Sequence, residues 1–185
     1  MGKQQVFDRF LEYMVRFANI KSVVALKDGF ILTLPLTLTG SLFLLIACFP
    51  IAGWGEFMTS VFGKDWAAPL FQVSNATFNI LAILSVLGIT YKYCEAEGCD
   101  AITASLLALA AFLTLIRGSV IAKSGEIVGG VIPSQWVGGN GVITAILVAL
   151  FTSWVFCYCE KHKICFKMPE GVPNGVAKAF AALIP

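Results

Sequence analysis

The sequence predicts an all-α polytopic membrane protein: an amphipathic amino-terminal helix, four transmembrane helices and the start of a truncated fifth. Two observations carry that reading. The run Gly29–Ala52 (GFILTLPLTLTGSLFLLIACFPIA) holds no charged residue, and as a helix it is roughly 36 Å long against a hydrocarbon layer of about 30 Å. Hydrophobic residues make up 58% of the chain and mean hydropathy is +0.83, while charged residues are only 13% and gather between the apolar runs. Only a helix or a closed barrel satisfies its backbone in lipid, and these runs lack the alternation of a barrel strand. The net charge of +2 is too small and too scattered to suggest nucleic acid. The first apolar run lies too deep and runs too long for a cleavable signal peptide, so it reads as an uncleaved signal anchor.

Residues 1–28 are read as a cytoplasmic or interfacial amphipathic segment. Residues 29–159 are read as a four-span bundle, with spans at about 29–52, 71–91, 101–116 and 141–159. Residues 160–185 are read as a cytoplasmic tail that opens a fifth helix. In the first segment Val6, Phe7, Phe10, Leu11, Met14 and Phe17 share one helical face and Asp8, Arg9, Glu12 and Arg16 the other. Such a helix rests in the membrane interface or packs on cytosolic loops. Glu12 and Arg16 form a favourable i,i+4 pair.

In the first span Thr33, Thr37 and Ser41 recur every four residues beside Thr39 and Gly40. Small and hydroxylated stripes are where membrane helices approach closely, so packing is preferred to a ligand contact. Pro35 frees a carbonyl one turn earlier, which a neighbouring hydroxyl can compensate. Residues 52–70 hold Gly53, Gly55, Gly63, Pro69, Trp54 and Trp66 and read as a loop skimming the interface. The early half of the second span carries Gln72, Asn75 and Asn79 on one face. Amides in lipid need partners, so this face bonds to another helix or lines a polar cavity.

The third span is short unless Arg117 snorkels and Val120 joins it. Residues 117–140 are glycine-rich with room for a β-hairpin, and their glycines match no phosphate loop. The fourth span carries Trp154 towards its far end. Four spans place both ends on one side. Lys3, Arg9, Arg16, Lys21, Lys27, Lys92 and the four lysines of the tail fall there, against Lys64, Arg117 and Lys123 opposite. That asymmetry puts both termini in the cytoplasm.

Chemistry is sparse. Cys157, Cys159, His162 and Cys165 stand together near the end of the fourth span, with Cys94 and Cys99 on the same side. Their spacing matches none of the familiar zinc patterns, and cysteine is common in apolar helices, so no metal is assigned. No ionisable residue sits mid-span, which argues against a self-contained pump or ion channel. His162 has no carboxylate dyad to work with and reads as a surface residue. No catalytic residue and no cofactor is assigned, and the chain is not read as an enzyme.

ALKDGF at Ala25–Phe30, Pro35-Leu36, GSLFLLI at Gly40–Ile46 and Phe49-Pro50 resemble the opening of membrane permease (EIIC) subunits of the bacterial phosphotransferase system. The lactose/cellobiose (diacetylchitobiose) group resembles it most. MPEGVPNGVAKAFAALIP at Met168–Pro185 is a second, more specific likeness, to the entry of the fifth span in that group. The resemblance runs through essentially the whole chain. Lys27 stands where arginine is usual, and Asn174-Gly175 where a second proline is frequent.

The resemblance implies a transporter of the bacterial cytoplasmic membrane, a homodimer, working with cytosolic phosphocarrier domains (EIIB and EIIA) on a β-linked disaccharide such as cellobiose, chitobiose or lactose. It further implies that the sugar site lies mainly in a carboxyl-terminal half that this sequence lacks, so substrate-binding residues stay unknown. These 185 residues then form a scaffold and dimerisation module, inactive alone. Two other readings stand beside it: half of a split permease, and a stand-alone small membrane protein regulating an intact one.

Overall fold

The structure, a computed structural model, describes residues 11–121 and 125–164. The residues of the amino-terminal face up to Phe10, Cys165 and the expected fifth-helix start at Val176–Pro185 lie outside them. Helix α1 occupies 11–18, and its Arg16 Nη2 meets Glu12 Oε1 at 3.0 Å in the expected i,i+4 pair. Leu11, Met14 and Phe17 are exposed.

Helix α2, Lys21–Ala47, is longer on its amino side than the uncharged run, because Lys21, Lys27 and Asp28 sit in its first turns with their side chains turned to the surface. It ends at Ala47, before Pro50, whose ring disfavours a helical conformation at the residue preceding it. The hydroxyls of Thr33, Thr37, Thr39 and Ser41 donate to the carbonyls of Phe30, Leu34, Pro35 and Leu38, so none of these bonds serves the carbonyl that Pro35 leaves free.

Residues 52–70 are not a plain loop. They hold helix α3, Trp54–Phe62, framed by Gly53 at φ 83° and Gly63 at φ 89°, a left-handed region glycine enters without steric cost. Those glycines signalled a loop in the sequence, whereas they bound a helix. Trp54 ties it back to α2, its Nε1 donating to the Ile46 carbonyl at 2.9 Å and its ring lying 5.4 Å from that of Phe49.

The second apolar run folds as two helices, α4 (Ala68–Phe78) and α5 (Leu81–Glu97), broken at Asn79–Ile80. Helix α6, Ala101–Leu115, starts at Asp100, whose Oδ1 accepts the Thr103 N–H at 3.4 Å. A hairpin follows, with β1 (Ser119–Ile121) antiparallel to β2 (Ile127–Gly129) and Val120 opposite Val128. Helix α7 (Ser134–Val137) and a 3-10 turn at Gly139–Gly141 lead into α8, Val142–Lys161. Lys21–Ala47, Ala68–Glu97 (through its break) and Gly139–Lys161 are long and apolar enough to cross a membrane, and Ala101–Leu115 is a shorter apolar helix.

Helix α5 is the axis of the molecule, packed by α2, α6 and α8. Its Ala82, Val86, Ile89 and Cys94 are fully buried. One core joins Ala82 and Val86 to Ala108, Phe112, Val137, Ala145 and Val148, and a second joins Cys94 to Ala104, Phe156 and Cys157.

Candidate functional site

Polar groups at membrane depth are the places where a transporter's chemistry would show, since each needs a partner in lipid. Of the expected hydroxyl stripe of α2 only Thr33 is buried and Thr37 is half-buried, and the packing seam of this helix is made mainly of small residues. The buried residues of the seam are Ala25, Gly29, Thr33 and Gly40, and Ser41 is exposed, off the seam. Gly29 and Gly88 bring α2 and α5 into backbone contact: a Cβ on Gly29 would lie 2.6 Å from the Ile89 Cα, and one on Gly88 would lie 2.6 Å from the Gly29 carbonyl oxygen. Further along, Gly40 abuts the Thr77 side chain, whose hydroxyl donates to the Ser74 carbonyl at 2.8 Å. Thr33 satisfies its own hydroxyl, so the seam is a close helix contact needing no ligand.

The amides behave differently. Ser74 and Thr77 are buried, on the side of α4 that meets α2, while Gln72, Asn75 and Asn79 are exposed on the opposite side. Their side chains have no hydrogen-bond partner among the described residues. Where α4 breaks, Gly138 comes against the Phe78 carbonyl and the Asn79 Cα, and Gly141 fits between the Trp136 carbonyl and Ala82. Residues 134–141 therefore pack into the interruption, which explains why hydropathy alone showed one continuous span.

The end where α5 and α8 finish carries the charges. Glu97, with a side chain only 11% exposed, accepts from Lys21 Nζ at 2.5 Å and also pairs with Lys161, so one carboxylate joins the starts and ends of α2, α5 and α8. Glu160 Oε2 accepts the Asp100 backbone N–H at 3.1 Å and links α8 to the start of α6. No sequence signal marked this clamp, because its partners lie 76 and 64 residues from Glu97.

The cysteines regroup. Cys157 faces Cys94 with their Sγ atoms 3.6 Å apart, both buried, and Cys99 joins the same cluster. Burial pushes the Cys99 thiol up to about 12, so it is protonated at neutral pH and a poor nucleophile. His162 lies on Tyr158, ring centroids 4.3 Å apart, not with these thiols. Among the described residues no group of three or more His, Cys, Asp or Glu could hold a metal ion. Two cavities are apolar grooves open between helices, one of about 380 Å³ between α2, α5 and α6, lined by Leu32, Leu36, Leu87 and Leu106, and one of about 670 Å³ between α6 and α8, while a more polar one of about 390 Å³ lies by Gly98, Asp100 and Glu160.

A sequence profile of the family described as phosphotransferase system, EIIC, matches residues 27–185. The chain belongs to the phosphotransferase system EIIC family. This EIIC chain is 41% identical over 175 residues to the putative permease IIC component YwbA of Bacillus subtilis (strain 168), covering 92% of itself and 39% of that protein. It is 37% identical over 183 residues to the cellobiose-specific EIIC component of Geobacillus stearothermophilus, covering 96% of itself and 41% of that relative. The crystal structure of the transporter ChbC, the IIC component of the N,N'-diacetylchitobiose-specific phosphotransferase system, superposes with a TM-score of 0.87 at 36% identity, covering 94% of this chain and 41% of ChbC. The EIIC chain thus spans about two-fifths of the length of these relatives. It shares their all-α transporter fold over that stretch.

Proposed function

We propose that these residues are the amino-terminal part of a sugar permease that carries a β-linked disaccharide across the cytoplasmic membrane. The sugar is then phosphorylated with a phosphoryl group taken from cytosolic EIIB and EIIA partners. The observation that carries this is the match over residues 27–185 together with relatives named for cellobiose and diacetylchitobiose. The four-span arrangement, with both termini in the cytoplasm, belongs to the same reading and rests on the distribution of Lys and Arg. These residues serve as scaffold and homodimer contact, and the phosphoryl chemistry belongs to the partner domains.

The test is phosphorylation of labelled cellobiose and diacetylchitobiose by membranes containing this chain joined to the remaining segment of the cellobiose-specific relative, with purified EIIA and EIIB added. Sugar phosphate formed only when both phosphocarriers are present supports the reading. Sugar phosphate formed without them, or none with them, contradicts it.

A further inference from the structure

We propose that the exposed amide face of α4, Gln72–Asn75–Asn79, is the docking surface for the segment that completes the permease beyond these residues. The proposal rests on the reading of the chain as the amino-terminal part of an EIIC protein. Three observations lead to it.

The amides sit inside Ala68–Glu97, one of the stretches apolar and long enough to cross a membrane. An amide left in hydrocarbon without a partner is strongly unfavourable, so a face of three such groups calls for polar neighbours. The described residues of this bundle do not supply them. Helix α4 turns Ser74 and Thr77 towards α2 and its three amides the other way, where no described residue hydrogen-bonds them. Finally, more than half of the length of ChbC and of the cellobiose-specific relative lies beyond the matched region. A segment joined to this one reaches its docking face at high effective concentration, which favours it over a second copy arriving by diffusion.

Each amide both donates and accepts, so the chemistry expected opposite is a helix or hairpin carrying hydroxyls, amides or free backbone groups.

The test co-expresses this chain, affinity-tagged, with a separate polypeptide made of the remaining segment of the cellobiose-specific relative, and measures how much of the second polypeptide is recovered in mild detergent. The variant is Gln72→Met/Asn75→Leu/Asn79→Leu, which keeps size and removes the amides. The proposal expects wild type to recover the second polypeptide near one to one, and the triple variant at least tenfold less, with helical circular dichroism and self-association unchanged. If the triple variant misfolds, Asn75→Leu alone is measured and a severalfold loss is expected. Recovery unaffected by the substitutions overturns the docking face and leaves the proposed function standing. Loss of self-association with recovery intact assigns the face to a second copy and overturns it too. Recovery intact with loss of sugar phosphorylation makes the face a wall of the sugar path, again overturning docking. Failure of wild type itself to recover the second polypeptide counts against the proposed function as well.

Discussion

Gly29 and Gly88 are where one atom matters most. A Cβ at Gly88 would meet the Gly29 carbonyl oxygen at 2.6 Å, and backbone cannot yield as a flexible side chain can. Gly88→Ala is therefore expected to lower stability by about 1–3 kcal/mol through overpacking, read as a lower melting temperature in detergent. Gly55→Ala is the contrast: it lies in α3 with nothing within 4 Å of its added Cβ, and gains up to about 1 kcal/mol of helix propensity. Equal effects at the two positions would contradict the close α2–α5 contact. At Glu97 a double-mutant cycle reads the clamp. Glu97→Gln lowers the melting temperature, and adding Lys161→Gln on that background costs little, because the partner is already lost. Full additivity would show that the pair does not interact. Thiol labelling completes this scale: Cys48 is exposed and reacts with a maleimide, whereas Cys94 and Cys157 stay protected until the chain is unfolded. Rapid labelling of Cys157 in the folded protein would contradict the second core.

At the level of elements, much of the architecture was legible because lipid makes apolar length an unusually direct signal. The uncharged run from Gly29 marked α2, and the four-residue recurrence of Thr33 and Thr37 marked the side of it that packs, although Gly40 in place of Ser41 continues the seam. The glycine-rich stretch marked the hairpin. The break between α4 and α5 was not legible. Asn79 and Ile80 are no stronger helix breakers than their neighbours, and what fills the interruption comes from residues 134–141, far along the chain. Helix α3 was missed for a related reason, since glycines at its two ends look like a loop when their left-handed conformation is unseen. Gly141→Val should therefore disturb α8 and the α4–α5 break together. Faster amide exchange is expected at Leu81–Ile83 as well as at Val142–Ala145, and a change confined to α8 would show that the two do not support each other.

The whole molecule is a bundle with one internally satisfied seam and one face of amides without hydrogen-bond partners among the described residues, and that contrast explains how little of a transport site could be read from it. A seam is recorded in residue sizes. A sugar site needs groups that converge, whereas the hydroxyls of α2 bond to their own helix and the amides of α4 face away from the bundle. The family is nonetheless clear from residues 27–185, since the spans and their packing glycines are what this stretch contributes. The central claim is that this scaffold carries no transport by itself. Its most direct test is uptake of labelled cellobiose and diacetylchitobiose by cells that keep EIIA and EIIB but lack their own permeases. These 185 residues alone would be compared with the same residues fused to the remaining segment of the cellobiose-specific relative. The account predicts background uptake for the first and phosphocarrier-dependent uptake for the second. Uptake well above background by the short chain alone would contradict it.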